Sequence, residues 1–380
     1  MSKLLKTFDF IRSQFSNKNE IYLHEPVFRG NEKKYLLDCI DSTFVSSIGK
    51  YVNRFEIDLA KKIGSEKAVA FVNGTSALHI ALKLVGVKDG DEVITQALTF
   101  IATANAISYN KAFPIFLDVD LDTMGLSPKA LEEFLTDFGE IRDDGCYNKK
   151  TKKRISACLP MHTFGFPVRI SEILKICKKW KIPVVEDAAE SLGSSSNGKA
   201  IGSFGDIGVF SFNGNKIVTT GGGGAITTNN NNFAVKAKHL STVAKVNHPY
   251  KFIHDMIGYN YRMPNINAAI GCAQLENLSQ YLLNKRMLAK EYENFFKSQG
   301  IIFRTEMKNT ITNYWLMCIE LESEKEKELF LKKSVEKKIS MRPVWELINT
   351  LPFYSTCQTD SLKNAIFLKN RILNIPSGVR

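Results

Sequence analysis

The sequence predicts an α/β fold in which a large domain with a mixed, mostly parallel sheet is followed by a smaller α+β domain. Between about residues 67 and 228, short β-rich segments alternate with segments of helical periodicity, the pattern of parallel strands joined by crossover helices. After residue 265 the pattern changes to one long helix, mixed strands and a charged helix. A chain of 380 residues also exceeds what one hydrophobic core usually serves. We expect a large domain over 26–250 and a small one over 251–380, with 1–25 joining the small domain.

The large domain contains seven predicted strands. In chain order they read AVAFVN, DEVITQ, FPIFLDVD, ISACLPMHT, PVVEDAA, GVFSF and GAITT. The helices between them read TSALHIALKLVG, ATANAISY, SPKALEEFL and SEILKICKKW, each with apolar residues three or four positions apart. The polar segment GEIRDDGCYNKKTKKR, at 139–154, is expected to be an exposed insertion before a strand.

The charge of the chain is strongly basic. There are 51 Lys and Arg against 39 Asp and Glu, a net charge of +12. This balance permits nucleic-acid binding, but the basic residues form short clusters, such as the one at 149–154, without interleaved aromatic residues. A solvated basic surface, or attraction of a small molecule that carries phosphate, explains the charge better, and we expect no nucleic-acid partner.

The cysteines and the apolar segments indicate a cytoplasmic protein. Seven cysteines without a CxxC pair fit a reducing compartment and neither a disulfide framework nor a metal site. The stretch MSKLLKTFDFIRSQ has too short an apolar run for a signal peptide, and no run of about 18 apolar residues occurs. We therefore expect no membrane association.

One glycine-rich stretch imitates a phosphate-binding loop. Residues 193–200 have the glycine and lysine spacing of a P-loop, but Ala200 stands where a Ser or Thr hydroxyl would reach Mg²⁺. The stretch also lacks a following helix. It is interpreted as a polar hairpin turn.

The chemistry is expected around Asp187 and Lys216. PVVEDAA places Asp187 at the carboxyl end of a strand, where α/β proteins assemble ligand sites, although such an Asp can also cap a helix. Lys216 follows Ser211 by five positions and Asp187 by 29 (216 minus 187), and four consecutive glycines begin at Gly221. Such a glycine run, flanked by strands, marks a place where the main chain bends sharply or approaches something closely.

This order of Asp, Ser and Lys resembles the pyridoxal phosphate (PLP) site of fold-type I aminotransferases. Four segments, VVEDAAESLGS, GDIGVFSFNGNKIVTTGGGG, FVNGTSALHIAL and GYNYRMPNINAAIGCAQLE, further resemble the DegT/DnrJ/EryC1/StrS family of nucleotide-sugar aminotransferases. The resemblance extends from about residue 22 to the C-terminus. It implies a PLP cofactor and the fold-type I architecture.

The resemblance implies specific roles for Lys216, Asp187 and Glu190. Lys216 would form the Schiff base with PLP and then move the proton between the amino donor and the cofactor. Asp187 would pair with the pyridine nitrogen and keep it protonated. Glu190 stands where the family commonly has Gln beside the 3-oxygen of the ring, which leaves the charge at that contact open.

Other positions would complete the cofactor site. By resemblance Gly74 and Thr75, at a helix N-terminus, would bind the phosphate together with Ser211. Phe100 falls where the family stacks an aromatic on the ring, although from the sequence alone it is equally a core residue. His162 is a weaker candidate for the other face of the ring.

The remaining positions concern the partner and the substrate. Asn260 matches a family position that reaches the phosphate of the neighbouring subunit, which implies a homodimer with composite active sites. Arg262 and Tyr314 could contact the pyrophosphate or sugar of the substrate. A salt bridge and a half-buried strand aromatic are equally good explanations for these two.

The implied reaction transfers an amino group from glutamate to a keto carbon of a nucleotide-linked deoxysugar. VSSIGKYVNRFE and RPVWELINTLPFY resemble the subgroup that acts at C4 of 4-keto-6-deoxy sugars, including those used for nonulosonic acids and surface glycans. The nucleotide, UDP or GDP, stays open. Alternatives are amination at C3, a non-catalytic regulator of the same fold and a basic nucleic-acid binder; PLP-dependent sugar dehydration is disfavoured because those relatives have His in place of the lysine.

Overall fold

The computed structural model describes residues 3–15 and 18–380. The α-helices in this part of the chain, α1–α11, are Lys3–Gln14, Glu32–Asp41, Lys50–Ile63, Gly74–Leu84, Ile101–Tyr109, Pro128–Phe138, Ile170–Lys179, Asn231–Ser241, Asn265–Ser298, Glu324–Glu336 and Lys363–Arg371. The strands, β1–β18, are Lys67–Phe71, Glu92–Gln96, Phe113–Leu117, Gly139–Arg142, Gly145–Asn148, Arg154–Leu159, Val185–Asp187, Ser195–Ser196, Lys199–Ala200, Ile207–Ser211, Gly224–Thr228, Lys245–Val246, Ile253–His254, Ile302–Phe303, Thr310–Ile311, Met317–Glu320, Arg342–Pro343 and Ile372–Ile375. All seven predicted strands of the large domain are present.

The main sheet is assembled from two groups of strands. They hydrogen-bond in the orders β3-β2-β6-β5-β4 and β1-β11-β10-β7. Parallel bridges from Cys158 to Val184 and from Met161 to Asp187 join β6 to β7. β2, β3 and β6 are parallel, as are β7 and β10, whereas β11 is antiparallel to β1 and β10. Six of the seven predicted strands therefore run in one direction, which confirms a mixed, mostly parallel sheet.

Helix α4 illustrates why the crossover segments are helical. Its N-cap is Asn73, whose side chain accepts a hydrogen bond from the backbone N–H of Ser76 (2.8 Å). Apolar residues of α4 pack against Val209 and Ile226 of the sheet. Burying each of its Leu and Ile side chains contributes about 1.5–3 kcal/mol, so that packing, more than intrinsic propensity, stabilises this helix.

The polar segment 139–154 precedes β6 and is exposed over 140–144, as predicted, but its other part is ordered into the sheet and partly buried. Its first part forms the hairpin β4–β5, and β5 pairs with β6 at the edge of the main sheet. Cys146 and Asn148 are buried. Asn148 Nδ2 donates to Glu92 Oε2 (2.9 Å) and to Gln358 Oε1 (2.8 Å), and these partners make burial of a polar residue possible.

The glycine-rich stretch at 193–200 forms the predicted hairpin. Strands β8 and β9 pair around Asn197 and Gly198, which have φ of 49° and 77°. Two successive left-handed residues are typical of a two-residue hairpin turn. No phosphate-binding loop is present there.

The C-terminal part contains a second sheet, in the order β14-β16-β18-β17, and the 34-residue helix α9. Helix α1 contacts this part of the chain, because Phe8 packs against Phe330 and Phe10 stacks on Phe295 with ring centroids 4.0 Å apart. The division of the chain at residue 250 stays a prediction. Within the described residues, no helix is both long and apolar enough to cross a membrane.

The main sheet brings three segments together at one edge. β7 ends at Asp187, β10 ends at Ser211, and β1 ends at Phe71, shortly before α4 begins. Since these strands run in one direction, their carboxyl ends lie at the same edge, where α/β proteins assemble ligand sites.

The buried His79 of α4 makes stability sensitive to acid. It packs against Tyr109, Tyr259 and Tyr261. Burial, with repulsion from Lys83 as a smaller cause, lowers the pKa of His79 to about 4, whereas an unfolded histidine has a pKa of about 6.5. Below that pH the unfolded chain takes up a proton that the folded chain does not, so stability falls as pH falls from about 6.5 towards 4.

We therefore expect His79→Phe, which keeps the aromatic packing, to reduce the acid loss of stability. The loss of unfolding free energy between about pH 7.5 and about pH 5 should become smaller by roughly 2 kcal/mol. Urea unfolding at the two pH values measures it. His254→Phe, at an exposed position of β13, is the control, and equal acid losses in His79→Phe and wild type would contradict the expectation.

Candidate active site

A cavity of about 600 Å³ opens at this edge of the sheet. The residues that line it and that the sequence singled out are Gly74, Thr75, Phe100, Asp187, Glu190, Ser211 and Lys216. They come from four separate segments of the chain. The structure therefore gathers seven of the predicted site residues around one space.

Asp187 lines the cavity with a buried carboxylate. Its Oδ2 accepts a hydrogen bond from Thr103 Oγ1 (2.8 Å), and its Oδ1 accepts one from the Ala189 N–H (3.2 Å). Burial raises the pKa of Asp187, while these two bonds and the charge of Lys216 oppose the increase. In the described part of the chain no cation lies within ion-pair distance of this carboxylate, so a cationic group of a ligand could pair with it.

Lys216 is carried by a tight turn after β10. Its backbone N–H donates to the Asn213 carbonyl (2.9 Å), and its side chain points back to the cavity, only 12% exposed. The amine Nζ lies 3.2 Å from Glu190 Oε1 and 3.8 Å from the centre of the Trp315 ring. The turn thus presents a sheltered amine on the same side of the sheet as Asp187.

Glu190 forms a buried ion pair with this amine. Its second oxygen, Oε2, accepts a hydrogen bond from the Phe164 N–H (2.9 Å). Burial raises the pKa of Glu190 to about 7, and the charge of Lys216 limits the increase. The residue that departs from the common family pattern is therefore a carboxyl that changes charge near neutral pH.

This perturbed carboxyl should be visible in a titration. We expect one ¹³C-labelled glutamate carboxyl signal of the cofactor-free protein to titrate near pH 7, well above the ordinary glutamate pKa of about 4.3. Glu190→Gln should remove that signal. As a control, Glu140→Gln should remove a signal with a lowered pKa, because Arg142 lies beside Glu140. If the signal lost in Glu190→Gln titrates below about pH 5, the expectation is wrong.

The N-terminus of α4 forms a second polar wall of the cavity. The Asn73 side chain occupies the Ser76 N–H, which leaves the N–H groups of Gly74 and Thr75 without a partner inside the helix. A Cβ on Gly74 would lie 3.0 Å from Ser211 Cβ. Unpaired N–H groups at a helix N-terminus, with Ser and Thr hydroxyls beside them, are suited to binding a phosphate.

The glycine run lets the main chain pass close to the N-terminus of α4, which forms this wall of the cavity. A Cβ on Gly224 would lie 2.4 Å from the carbonyl carbon and oxygen of Asn73, so β11 can pass this close to the start of α4 only without a side chain. Gly221 has φ of +80°, which favours glycine. The sequence predicted that the glycine run approaches something closely, and in the structure Gly224 approaches the main chain of Asn73.

The outer part of the cavity is aromatic and charged. Phe100 is 47% exposed and packs against Trp345 with centroids 6.0 Å apart. Arg342 and Glu346 also line this part. Sequence reasoning missed Arg342, Trp345 and Trp315; the only signal was the run RPVW, which identifies no partner by itself.

Two predicted residues do not reach the cavity. His162 is fully buried, with its Nε2 3.2 Å from Glu186 Oε2 and its Nδ1 accepting the Val168 N–H (3.2 Å), so it supports the strand ends instead of facing a ligand. Tyr314 is 6% exposed and packs against Phe166. Its neighbour Trp315 lines the cavity in its place, and the packing explanation for Tyr314 is the one that the geometry favours.

Asn260 and Arg262 also lie outside this cavity. Asn260 is exposed and forms a backbone bridge with Thr242. Arg262 is half-buried and bridges Phe71 through its backbone. Within one chain neither contributes to the site.

The residues present fit PLP. The buried Asp187 lacks a cationic partner, the start of α4 offers donors for a phosphate, and the Lys216 amine lies on the same side of the sheet. These groups match the three polar ends of the cofactor: its ring nitrogen, its phosphate and its aldehyde carbon.

Comparisons with known proteins identify the family of the chain. The model of the DegT/DnrJ/EryC1/StrS aminotransferase family matches residues 26–380. EpsN of Bacillus subtilis (strain 168), assigned as a pyridoxal phosphate-dependent aminotransferase, is 37% identical over 366 residues, covering 94% of this chain and 91% of EpsN. GDP-perosamine synthase of Escherichia coli O157:H7 is 38% identical over 335 residues, covering 88% of this chain and 87% of that protein.

A solved structure shows the same fold. Helicobacter pylori PseC, an aminotransferase involved in the biosynthesis of pseudoaminic acid, has a TM-score of 0.85 and 25% identity, with 94% of this chain and 93% of PseC covered. The predicted fold-type I architecture is confirmed.

Proposed function

Because the chain belongs to the DegT/DnrJ/EryC1/StrS aminotransferase family, we propose that this PLP-dependent enzyme aminates the C4 keto carbon of a nucleotide-linked 4-keto-6-deoxy sugar, with L-glutamate as donor. The observation that carries the proposal is that Lys216 and Asp187 border one cavity. The relative that synthesises GDP-perosamine supports this substrate, since perosamine is a 4-amino sugar formed from a 4-keto precursor. A GDP-linked sugar is accordingly the first candidate and a UDP-linked sugar the second.

The inner half of the cavity would hold the cofactor. PLP, when bound, supplies the electron sink for the reaction. The N–H groups of Gly74 and Thr75, with the Ser211 hydroxyl, would bind its phosphate. Asp187 would pair with the ring nitrogen through a charge-assisted hydrogen bond, and Phe100 would cover a face of the ring.

Lys216 would carry the proton transfers. Its Nζ would take a proton from Cα of the amino donor and later deliver one to the sugar carbon that receives the amine. Glu190, 3.2 Å away, would keep this amine within reach. One lysine then serves both half-reactions, so we expect ping-pong kinetics.

The outer half of the cavity would receive the substrates. Arg342 lies there, exposed, and makes no ion pair with a carboxylate of the described residues. A guanidinium of this kind suits a diphosphate or a carboxylate. The net charge of +12 would also attract anionic nucleotide sugars.

The active site would be completed by a second copy of the chain. The hairpin of β12 and β13 and its flanks expose Tyr250, Phe252 and Ile257, at 79%, 84% and 84%. Neighbouring exposed apolar side chains of this size are typical of an interface. A homodimer would cover them and bring Asn260, and with it Arg262, towards the neighbouring cavity.

We place the reaction in the cytoplasm, where the seven free thiols of the chain would stay reduced. The product would enter surface polysaccharide or nonulosonic acid biosynthesis.

A substrate panel tests the proposal. Purified protein with PLP and ¹⁵N-glutamate is offered GDP- and UDP-linked 4-keto-6-deoxy sugars and a 3-keto nucleotide sugar, and products are identified by mass spectrometry. We expect ¹⁵N at C4 of the GDP- or the UDP-linked 4-keto sugar. Amination of the 3-keto sugar alone would overturn the position of attack. A protein that neither binds PLP nor aminates any sugar, but binds DNA in a salt-dependent manner, would overturn the enzyme assignment.

A further inference from the structure

Trp315 contacts the turn that carries Lys216 in two ways. Its ring lies over the Lys216 amine, 3.8 Å from Nζ to the ring centroid. Its indole Nε1 donates a hydrogen bond to the Asn215 carbonyl (2.7 Å). The residue is only 4% exposed. One side chain therefore restrains both the amine and the backbone next to it.

Trp315 is itself held through its backbone. Its N–H donates to Asn313 Oδ1 (2.8 Å), and Asn313 Nδ2 donates to the carbonyls of Glu190 (2.8 Å) and Leu192 (2.9 Å). Its carbonyl accepts a hydrogen bond from Lys285 Nζ (3.3 Å). Trp315 is thus tied to the segment of Glu190 on one side and to α9 on the other.

Lys285 of α9 is unusual because lysine side chains are rarely buried without an ion-pair partner. It is completely buried, and none of the carboxylates that the structure describes forms an ion pair with it. Its Nζ also donates to the Ser377 carbonyl, and the Ser377 N–H donates to the Leu23 carbonyl (2.7 Å). Burial lowers the pKa of Lys285 well below its ordinary value.

Burial of such an amine is unfavourable unless its donors are used. Here the amine donates to the carbonyls of Trp315 and Ser377, and Ser377 in turn donates to Leu23. Trp315, Leu23 and, near Ser377, Asn374 all line the cavity. Lys285 therefore fixes the wall of the cavity that faces Lys216.

We propose that Trp315 is a positioning residue for the Lys216 amine and that Lys285 holds Trp315 in place. The proposal rests on the proposed function, in which Lys216 moves protons. An ammonium over an indole face is attracted by the ring, and the hydrogen bond to Asn215 restrains the turn. Both contacts come from a residue about 100 positions away in sequence, so they connect the C-terminal sheet region to the catalytic lysine.

The test measures the amine directly, without cofactor. Cofactor-free protein is treated with limiting acetic anhydride, and acetylation of Lys216 is measured by peptide mass spectrometry relative to the exposed Lys150. We expect Trp315→Phe, which keeps an aromatic ring but loses the indole N–H, to raise this ratio about three- to tenfold, the factor that one lost hydrogen bond gives. Trp180→Phe is the matched control, since the Trp180 N–H has no hydrogen-bond partner. An unchanged ratio in Trp315→Phe would overturn the proposal.

A second pair of variants tests Lys285. Lys285→Met should raise the same ratio, whereas Lys290→Met, at an exposed position of the same helix, should not. In the PLP-loaded enzyme, Trp315→Phe should lower kcat for the glutamate half-reaction and leave KM unchanged. If the acetylation ratios follow this pattern but the protein transfers no amino group, the positioning role is supported and the proposed function is refuted. If the enzyme is active but the ratios are unchanged, the proposed function is supported and the positioning role is refuted.

Discussion

Lys216→Ala should lower the rate of amino transfer by about 10⁴-fold or more, the largest effect that we expect of any single change. The amine at 216 lies within the cavity, between Glu190 and the Trp315 ring. Among the described residues that line the cavity it is the only lysine. Alanine removes both the base and the attachment point for the cofactor. The measurement is the rate of ¹⁵N transfer from glutamate, together with the visible absorbance of cofactor linked to the protein.

The control for this change is Lys199→Ala. Lys199 lies in the hairpin turn region of β9 and is exposed, so its loss should leave both the rate and the absorbance unchanged. An external small amine such as methylamine should restore part of the activity of Lys216→Ala, since it replaces the missing base. Retention of more than about a tenth of wild-type activity by Lys216→Ala would mean that another residue is the base.

Asp187→Asn should produce the second largest loss, on the order of 10²–10⁴-fold in rate. The carboxylate would stabilise positive charge on the ring nitrogen, and this interaction matters most when negative charge moves into the ring. Asparagine can keep the contact with the Ala189 N–H but brings no negative charge. We expect the rate to fall far more than the affinity for PLP, which Gly74, Thr75 and Ser211 would largely supply.

The measurement for this change separates the two effects. Single-turnover rates with glutamate report the chemistry, and titration with PLP reports affinity. Asp206→Asn is a useful control because Asp206 lies outside the cavity. Its side chain accepts a hydrogen bond from the N–H of Val184, just before the start of β7 (2.8 Å), whereas Asp187 lies at the end of that strand. Equal losses of rate and of PLP affinity in Asp187→Asn would show that the carboxylate acts only in binding.

Most of the sheet was predictable because buried parallel strands have a strong local signature. Short β-branched and apolar runs between helical periods identify strands without any tertiary information. The buried part of segment 139–154 was missed because the partners of the polar Asn148 are distant in sequence. Glu92 and Gln358, which bond Asn148, lie 56 and 210 positions away.

The inner half of the site was also predictable, because its residues belong to strand ends and turns. Local patterns placed Gly74 at a helix N-terminus, Asp187 at a strand end and Lys216 in the following turn, and the family resemblance implied their roles towards the cofactor. The outer half was not. Trp315 and Trp345 reach the cavity from segments far along the chain, and nothing next to them in sequence identifies that partner.

Tyr314 shows how a prediction can miss by one residue. Its backbone has φ of +49°, a left-handed conformation that interrupts the alternation of side chains in an extended segment. The side chain that faces the cavity is therefore that of Trp315. In an extended segment, side chains normally point to alternate faces with a period of two residues, but this alternation fails at a left-handed residue.

The sequence by itself determined the order of strands and helices, the family and the positions of the lysine and the carboxylate, because these depend on local periodicity, turn chemistry and short motifs. Only the tertiary structure decided which carboxyl approaches the Lys216 amine, which aromatic ring covers it and which buried amine holds that ring. Hydrogen bonds and ring contacts act over a few ångströms, whereas the residues concerned are 26, 99 and 69 positions from Lys216 (216 minus 190, 315 minus 216, 285 minus 216). That proximity results from packing the helices and the second sheet against the first, which no local pattern encodes.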